Sequence, residues 1–279
     1  MDKLKTYLKH PLSFVLLILI GLASIITVAS IIFIIIYILV NGIPNLTTDL
    51  FSLHYNSKNQ SMLPSIFNTV FITFLTLLIA VPIGIFSAVY LVEYAKKGSK
   101  LVKVIRVTTE TLAGIPSIVF GLFGFLAFVI ALGWGYSMIA GVLTLVMMVL
   151  PTIIRITEEA LLAVPNSYRE GSFGLGAGKI RTIFKIIVPT AIPGILSGVI
   201  LAIGRIVGET AALIYTSGTV AETATSLTDS ARTLSVHLYC LLSEGLFTNQ
   251  AYATAVILLL LVVGINALSN FIAKKLAKK

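Results

Sequence analysis

Charge is what this chain has least of. Of its 279 residues only 11% are Asp, Glu, Lys or Arg, whereas 57% are hydrophobic; soluble domains carry roughly 25% charged residues. That deficit excludes an ordinary water-soluble domain. Cysteine is nearly absent too: Cys240 stands alone, so no intramolecular disulfide can form. His10, His54 and His237 are scattered with no partner at metal-ligand spacing, and neither a metal site nor a cofactor is expected.

Long apolar runs take the place of charge. Crossing ~30 Å of hydrocarbon takes about 20 helical residues, and runs of that order occupy residues 11–40, 65–92, 104–132, 136–154, 190–215 and 251–272. The expectation is an all-α, polytopic membrane protein with about six transmembrane helices. The first run is too long for the apolar part of a signal peptide, and no convincing small-residue cleavage site follows it, so it reads as a permanent anchor. Residues 1–64 are expected to form that N-terminal anchor and an external loop, and residues 65–279 the main transmembrane domain.

The net charge of +9 invites a nucleic-acid reading, which its distribution removes. Lys3, Lys5 and Lys9 precede the first run; Lys96, Lys97, Lys100, Lys103 and Arg106 follow the second; Arg169, Lys179, Arg181 and Lys185 follow the fourth; Lys274, Lys275, Lys278 and Lys279 end the chain. The alternate segments, 41–64 and 216–250, hold only Lys58 and Arg232. By the positive-inside rule both termini and the 157–189 loop face the cytoplasm of a cell membrane whose lipid surrounds the chain. No soluble basic domain with stacking aromatics exists to hold nucleic acid. No internal repeat is evident, which argues against carriers built from inverted halves.

Two segments outside the spans have helical character. In residues 230–245, Leu234, Leu238, Leu241 and Leu242 recur at helical spacing, with Ser230 as a candidate N-cap of a short interfacial or lid helix. In the 157–189 loop, "EGSFGLGAGK" resembles a phosphate cradle, but Phe173 stands where a P-loop needs Gly and Ile180 where it needs Ser or Thr. A different structure fits. Ser167 and Glu170 have capping-box spacing for a new short helix, and Gly174, Gly176 and Gly178 allow a left-handed bend after it. Beyond the bend Ile180, Ile183, Phe184, Ile187 and Val188 mark one face of a second helix, expected to end at Pro189.

This loop carries a family resemblance. Glu170, Gly176 six residues later, then Ile186, Val188 and Pro189 are similar to the EAA loop of ABC importer permeases: Glu-Ala-Ala, three residues, Gly, nine residues, Ile, any residue, Leu, Pro. Gly171 and Ser172 replace the two alanines and Val188 the leucine. Further stretches, "ETLAGIPSIVFGLFG" from Glu110, "LPTIIRITEEALLAVPNSYREGS" from Leu150, "AIGRIVGETAALIYTSG" from Ala202 and "ARTLSVHLY" from Ala231, resemble the phosphate-specific PstA family; Ala212 stands where many of its members have Pro. The resemblance implies a type I, MetI-like importer permease fold and inward transport of inorganic phosphate. It also implies three partners: a separate ATPase of the PstB type, a second permease of the PstC type and an external phosphate-binding protein of the PstS type. Glu170, Gly171, Ser172, Gly176 and Pro189 are then the coupling element that docks on the ATPase.

The intramembrane charges admit two readings on their own chemistry. Arg205 lies roughly 20 Å into the fifth run at 1.5 Å per residue, where a guanidinium costs about 2.5–3.5 kcal/mol. Glu209, four residues on, would share its helix face and neutralise it, or both would line a polar pathway. Arg155 and Glu158, at the cytoplasmic end of the fourth run, read either as an interfacial anchor or as pathway groups. The family resemblance implies that Arg155 and Arg205 serve phosphate passage with Glu158 and Glu209 as partners, the guanidinium forks meeting phosphate oxygens. Glu110 reads as a packing residue, and Gly114, Pro116, Gly121 and Gly124 as sites of kinking and close helix approach. Another oxyanion as substrate, or a gradient-driven carrier, stays open at this point.

Overall fold

The structure, a computed structural model, describes residues 11–96 and 98–277; Lys3, Lys5, Lys9, Lys97, Lys278 and Lys279 lie outside the described residues. Among the described residues every regular element is helical, as a chain in hydrocarbon requires when each backbone donor must be satisfied within its own segment. α1 (Pro11–Gly42) is apolar all round and buries none of its central residues, the pattern of a lipid-facing span. Its C-terminal turn meets the last helix through Tyr37 and Tyr252, whose rings cross edge to face at 5.9 Å. Two short 3₁₀ turns, Ile43–Asn45 and Thr48–Phe51, then lead to α2 (Leu63–Val89).

The third apolar run does not form the single span its length predicts. α3 (Lys100–Ala113) and α4 (Ser117–Gly124, prolonged by a wide π turn at Phe125–Ala131) meet at 102°. Pro116 has no N–H to continue the helix and disfavours helical geometry in Ile115 before it, so the chain turns at Gly114-Ile115-Pro116. α4 then packs on the later helices at very close range: a Cβ on Gly121 would lie 2.7 Å from Ala212 Cα. The fourth span is α5 (Met138–Leu162), the most buried helix of the bundle.

The loop after α5 is ordered, with differences from expectation. α6 (Asn166–Gly174) starts directly after Pro165 with no side-chain cap. Ser167 is therefore already inside the helix, and the capping box with Glu170 does not form. Gly176 makes the bend at φ +79°, a conformation a side chain resists. α7 (Lys179–Thr182) follows and runs through a π turn, Ile183–Ile187, straight into α8 (Val188–Val207). Pro189 does not end the helix, because the wide turn before it absorbs the missing N–H. The same widening divides the expected apolar face: Ile183 and Ile187 are buried, while Ile180 and Phe184 point outward.

The fifth span is correspondingly displaced, running as one rod over Lys179–Val207. It stops at Gly208, and α9 (Ala211–Thr216) is a separate short helix. α10 (Leu234–Glu244) is capped by Thr233, not Ser230, whose hydroxyl donates instead to the Ser217 carbonyl at 2.9 Å. α11 (Thr248–Ala277) closes the bundle.

The core has two ends and a middle. Ile72, Leu145, Met148, Val149, Ala202 and Leu213 knit α2, α5, α8 and α9 together in the middle. At the end bearing α6 and α7, Val89, Leu91, Ile154, Leu161, Ile183 and Ile187 form a second cluster; at the opposite end Leu50, Met62, Leu234 and Ala253 form a third. The α6 end is fastened by Arg169. Its Nη2 lies 2.7 Å from Glu93 Oε1, and its guanidinium also donates to the carbonyls of Leu161 at 3.1 Å and Val164 at 3.0 Å, at and just beyond the C-terminus of α5. A π turn at Tyr90–Tyr94 ends α2 and brings Glu93 to this point. Beside it Lys179 sits over the Tyr94 ring at 4.7 Å. Sequence reasoning read Arg169 as a topology charge and passed over Glu93, since nothing local links residues 76 positions apart.

Removing one member of so shielded a pair leaves the other charge without compensation, a loss of about 3–5 kcal/mol. Glu93→Gln is therefore expected to accelerate amide exchange across residues 165–182 while the spans stay protected, and unchanged exchange in that segment would refute the fastening role.

Candidate functional site: charged clefts and an exposed loop

Three places in the described residues combine charge or exposure with geometry that packing does not explain. The first is a cleft of ≈540 Å³ lined by Val149, Thr152, Leu201, Gly204, Arg205 and Asn266 among others. Arg205 is half-buried near the end of α8 and, among the described residues, forms neither an ion pair nor a hydrogen bond with protein. Glu209 is not its partner. The helix has ended between them, and the Glu209 carboxylate, itself buried, accepts from the Ala212 N–H at 3.1 Å at the start of α9. The expected i,i+4 pair fails because it requires unbroken helix from 205 to 209. Facing the same cleft, Asn266 carries a buried side-chain oxygen with no partner. Its sequence signal was an amide within the apolar run of α11.

The second place is a cleft of ≈290 Å³ between α3 and α5, near the α6 end, lined by Arg106, Thr109, Glu110, Arg155, Glu158, Glu159 and Leu162. Here too the expected pairing changes. Arg155 bonds Glu159 at 3.0 Å, one helical turn on, whereas Glu158 turns to Arg106 on α3, Nη2 to Oε1 2.5 Å. An i,i+4 spacing suits two side chains on one helix better than i,i+3 when the carboxylate at i+3 has a competing cation across the groove. Glu110, read from sequence as a packing residue, is exposed at the cleft. The structure thus brings Arg155 and Glu158 to one cleft and sets Arg205 in another, with Glu209 used to join two helices.

The third place is the tip of the α6–α7 hairpin. Leu175 is 91% exposed and Ile180 67%, with Tyr168 and Phe173 about half exposed beside them. Glu170 and Gly171 are exposed as well, and a Cβ at Gly171 or Gly176 would project into open space. Ser172 points the other way: it is buried, and its hydroxyl meets that of Thr182 at 2.8 Å, stitching the two arms of the hairpin. Pro189 lies in the helix beyond, away from the tip.

At the opposite end the loop of residues 43–62 folds over α10. Arg232, 5% exposed, places its guanidinium 4.8 Å from the Tyr55 ring centroid, and the same ring meets His237 edge to face. His237 is wholly buried with no aligned partner at either ring nitrogen. Asn68 ties the region together, donating to the carbonyls of Glu222 at 2.9 Å and Arg232 at 3.2 Å.

A bundle of apolar spans, one of them broken, with arginines in its clefts and an apolar hairpin exposed at one end, is the architecture of a helical membrane protein with charged clefts between its spans. The chain matches the family described as "Binding-protein-dependent transport system inner membrane component" over residues 80–279, and it belongs to that family. It is therefore the permease subunit of an ABC importer, a subunit that is not itself catalytic; such permeases work with a substrate-binding protein and a separate ATPase. The chain is 32% identical over 277 residues to the probable ABC transporter permease protein YqgI of Bacillus subtilis, covering 93% of this chain and 94% of that one. It is 45% identical over 140 residues, half of this chain and 45% of the relative, to the phosphate transport system permease protein PstA 1 of Mycobacterium tuberculosis. Among solved structures, a bacterial alginate ABC transporter chain superposes with a TM-score of 0.72 at 15% identity, covering 98% of each chain. That last likeness concerns the fold alone.

The surroundings of His237 set a pH dependence. Burial first, and then the Arg232 charge, lower its pKa to about 3, with the Gln60 backbone offsetting a little. The unfolded chain takes up this proton near pH 6.5 and the folded chain only near 3. The neutral ring is thus no handicap above pH 6.5, and stability is lost as pH falls from 6.5 towards 3. His237→Gln should flatten the acid-side decline of the thermal midpoint in that window, and an unaltered slope would count against the assignment.

Proposed function

We propose that this chain carries inorganic phosphate inward across the cell's cytoplasmic membrane as one half of an ATP-driven importer's pore. The observation that carries the reading is the unpaired Arg205: a guanidinium within a span, at a cleft, with no protein acceptor among the described residues. Such a group is too costly to retain as packing and is chemically matched to a passing oxyanion, to whose oxygens its forked donors are complementary. Arg155 and Glu158 stand nearer the α6 end on the same α5 helix that lines both clefts. Glu209 takes the role of holding α9 on α8, so that it shapes the pathway without neutralising Arg205. The partial likeness to phosphate permeases of the PstA type supports phosphate over other substrates.

On this reading the α6–α7 hairpin is the coupling element. Glu170, Gly171 and Gly176 lie at or beside its exposed tip, Ser172 braces it from within, and Pro189 belongs to the rod that returns motion to the membrane. Both termini and this hairpin face the cytoplasm, where a PstB-type ATPase docks; a PstC-type permease completes the pore, and a PstS-type binding protein delivers phosphate outside. Residues 1–64 serve as anchor and external loop, and residues 65–279 as the transport domain. Transport of another oxyanion is the second reading, favoured by the fact that a guanidinium does not distinguish tetrahedral anions by itself.

Two outcomes test this. Arg205→Gln should reduce phosphate uptake by reconstituted vesicles at least tenfold per assembled complex without hindering insertion, and Arg205→Lys should restore little because an ammonium lacks the planar fork; near-normal uptake by Arg205→Gln removes the residue from the pathway. Gly176→Leu, which cannot easily adopt φ +79°, should insert normally yet lose most phosphate-stimulated ATP hydrolysis, and wild-type hydrolysis would detach the hairpin from coupling.

A further inference from the structure

Arg106 looks from sequence like one more cation flanking a span, yet it crosses the groove from α3 to reach Glu158 on α5. The cleft it enters holds two guanidiniums, Arg106 and Arg155, and the carboxylates of Glu110, Glu158 and Glu159. Each arginine meets its carboxylate through a single nitrogen. Arg155 uses Nε alone on Glu159 Oε1, and the Arg106–Glu158 contact is close but poorly aligned, so that Glu158 Oε1 is buried without an aligned donor. Neither pair is the bidentate fork that makes an arginine–carboxylate bridge strong. Both guanidiniums remain half exposed, while the Glu158 side chain is 12% exposed.

We propose that Arg106 and Arg155 form an oxyanion-exchange site in which Glu158 and Glu159 are displaceable resident counter-anions. An arriving tetrahedral oxyanion takes over guanidinium donors from Glu158 and Glu159. The two carboxylates, tethered beside the site at high effective concentration, then compete it off. Glu158 matters most in the return step. Shielded from water, it has no compensating charge while the anion occupies Arg106, and repulsion between the two favours release. A pathway site must bind strongly enough to be entered and weakly enough to be left, and internal competition supplies the second condition. The inference rests on the phosphate reading above and adds to it a third arginine, contributed by the broken span.

The test uses the full complex of permeases, ATPase and binding protein in vesicles, with uptake of labelled inorganic phosphate normalised to assembled complex. Arg106→Gln is expected to lose at least tenfold. The double variant Arg106→Gln, Glu158→Gln discriminates the alternatives: a mere tie between α3 and α5 survives as a neutral amide pair and restores near-normal uptake, whereas an exchange site stays inactive because its guanidinium is gone. Glu158→Gln alone gives a readout that does not depend on Arg106 variants folding. The detergent-solubilised permease–ATPase complex, without binding protein or ATP, should retain labelled phosphate several-fold longer than wild type, since the competitor has been removed. Restored uptake in the double variant, or unchanged retention in Glu158→Gln, overturns the exchange site. A wild-type complex that imports no phosphate overturns the phosphate reading itself, whereas normal wild-type import together with normal Arg106→Gln import overturns the exchange site alone.

Discussion

Hydrocarbon offers no hydrogen bond to a backbone amide and no hydration shell to a charge, and the rest of this molecule follows from how it meets that condition. Backbone groups are satisfied by helix almost throughout, and where the helix breaks, a side chain or a tight turn takes over. Gly208 ends α8, and the Glu209 carboxylate satisfies the Ala212 N–H of the next helix. Arg169 does the same at the end of α5, giving its donors to the Leu161 and Val164 carbonyls while Glu93 balances its charge. Charges spent in this way hold the scaffold. Arg205, by contrast, lines a cleft with no protein partner among the described residues.

The wide turns have a related role. Among the described residues π turns fall at three places: Tyr90–Tyr94 sets Glu93 and Tyr94 against the hairpin, Ile183–Ile187 carries the helix past Pro189, and Phe125–Ala131 ends the second arm of the broken span. The hairpin is fixed to the ends of α2 and α5 by Arg169 and continues without interruption into α8, the rod that bears Arg205.

Much of this was legible in the residues. Most span positions, the bend at Gly176 and the short helix around Leu234 rest on a local rule of length or backbone freedom, whereas the third run broke at Gly114-Ile115-Pro116 and the fifth stopped at Gly208. The failures share a cause as well. Ser167 and Ser230 had the right chemistry for caps but the wrong turn of chain, because Pro165 started one helix earlier and packing around Thr233 started the other later. Pro189 was expected to stop a helix that a π turn allowed to continue.

Sequence by itself determined the solvent of this protein, its helical class, its family and the identity of its intramembrane charges, since each depends on composition or on spacing within one segment. Only the tertiary structure decided which charges meet. Glu158 pairs with Arg106 across a groove, not with Arg155 on its own helix; Arg169 reaches Glu93 from 76 positions away; Arg205 is left unpaired because the helix ends before Glu209. An ion pair is a matter of a few ångströms between separate helices, and no periodicity along one helix specifies how its neighbour is rotated against it.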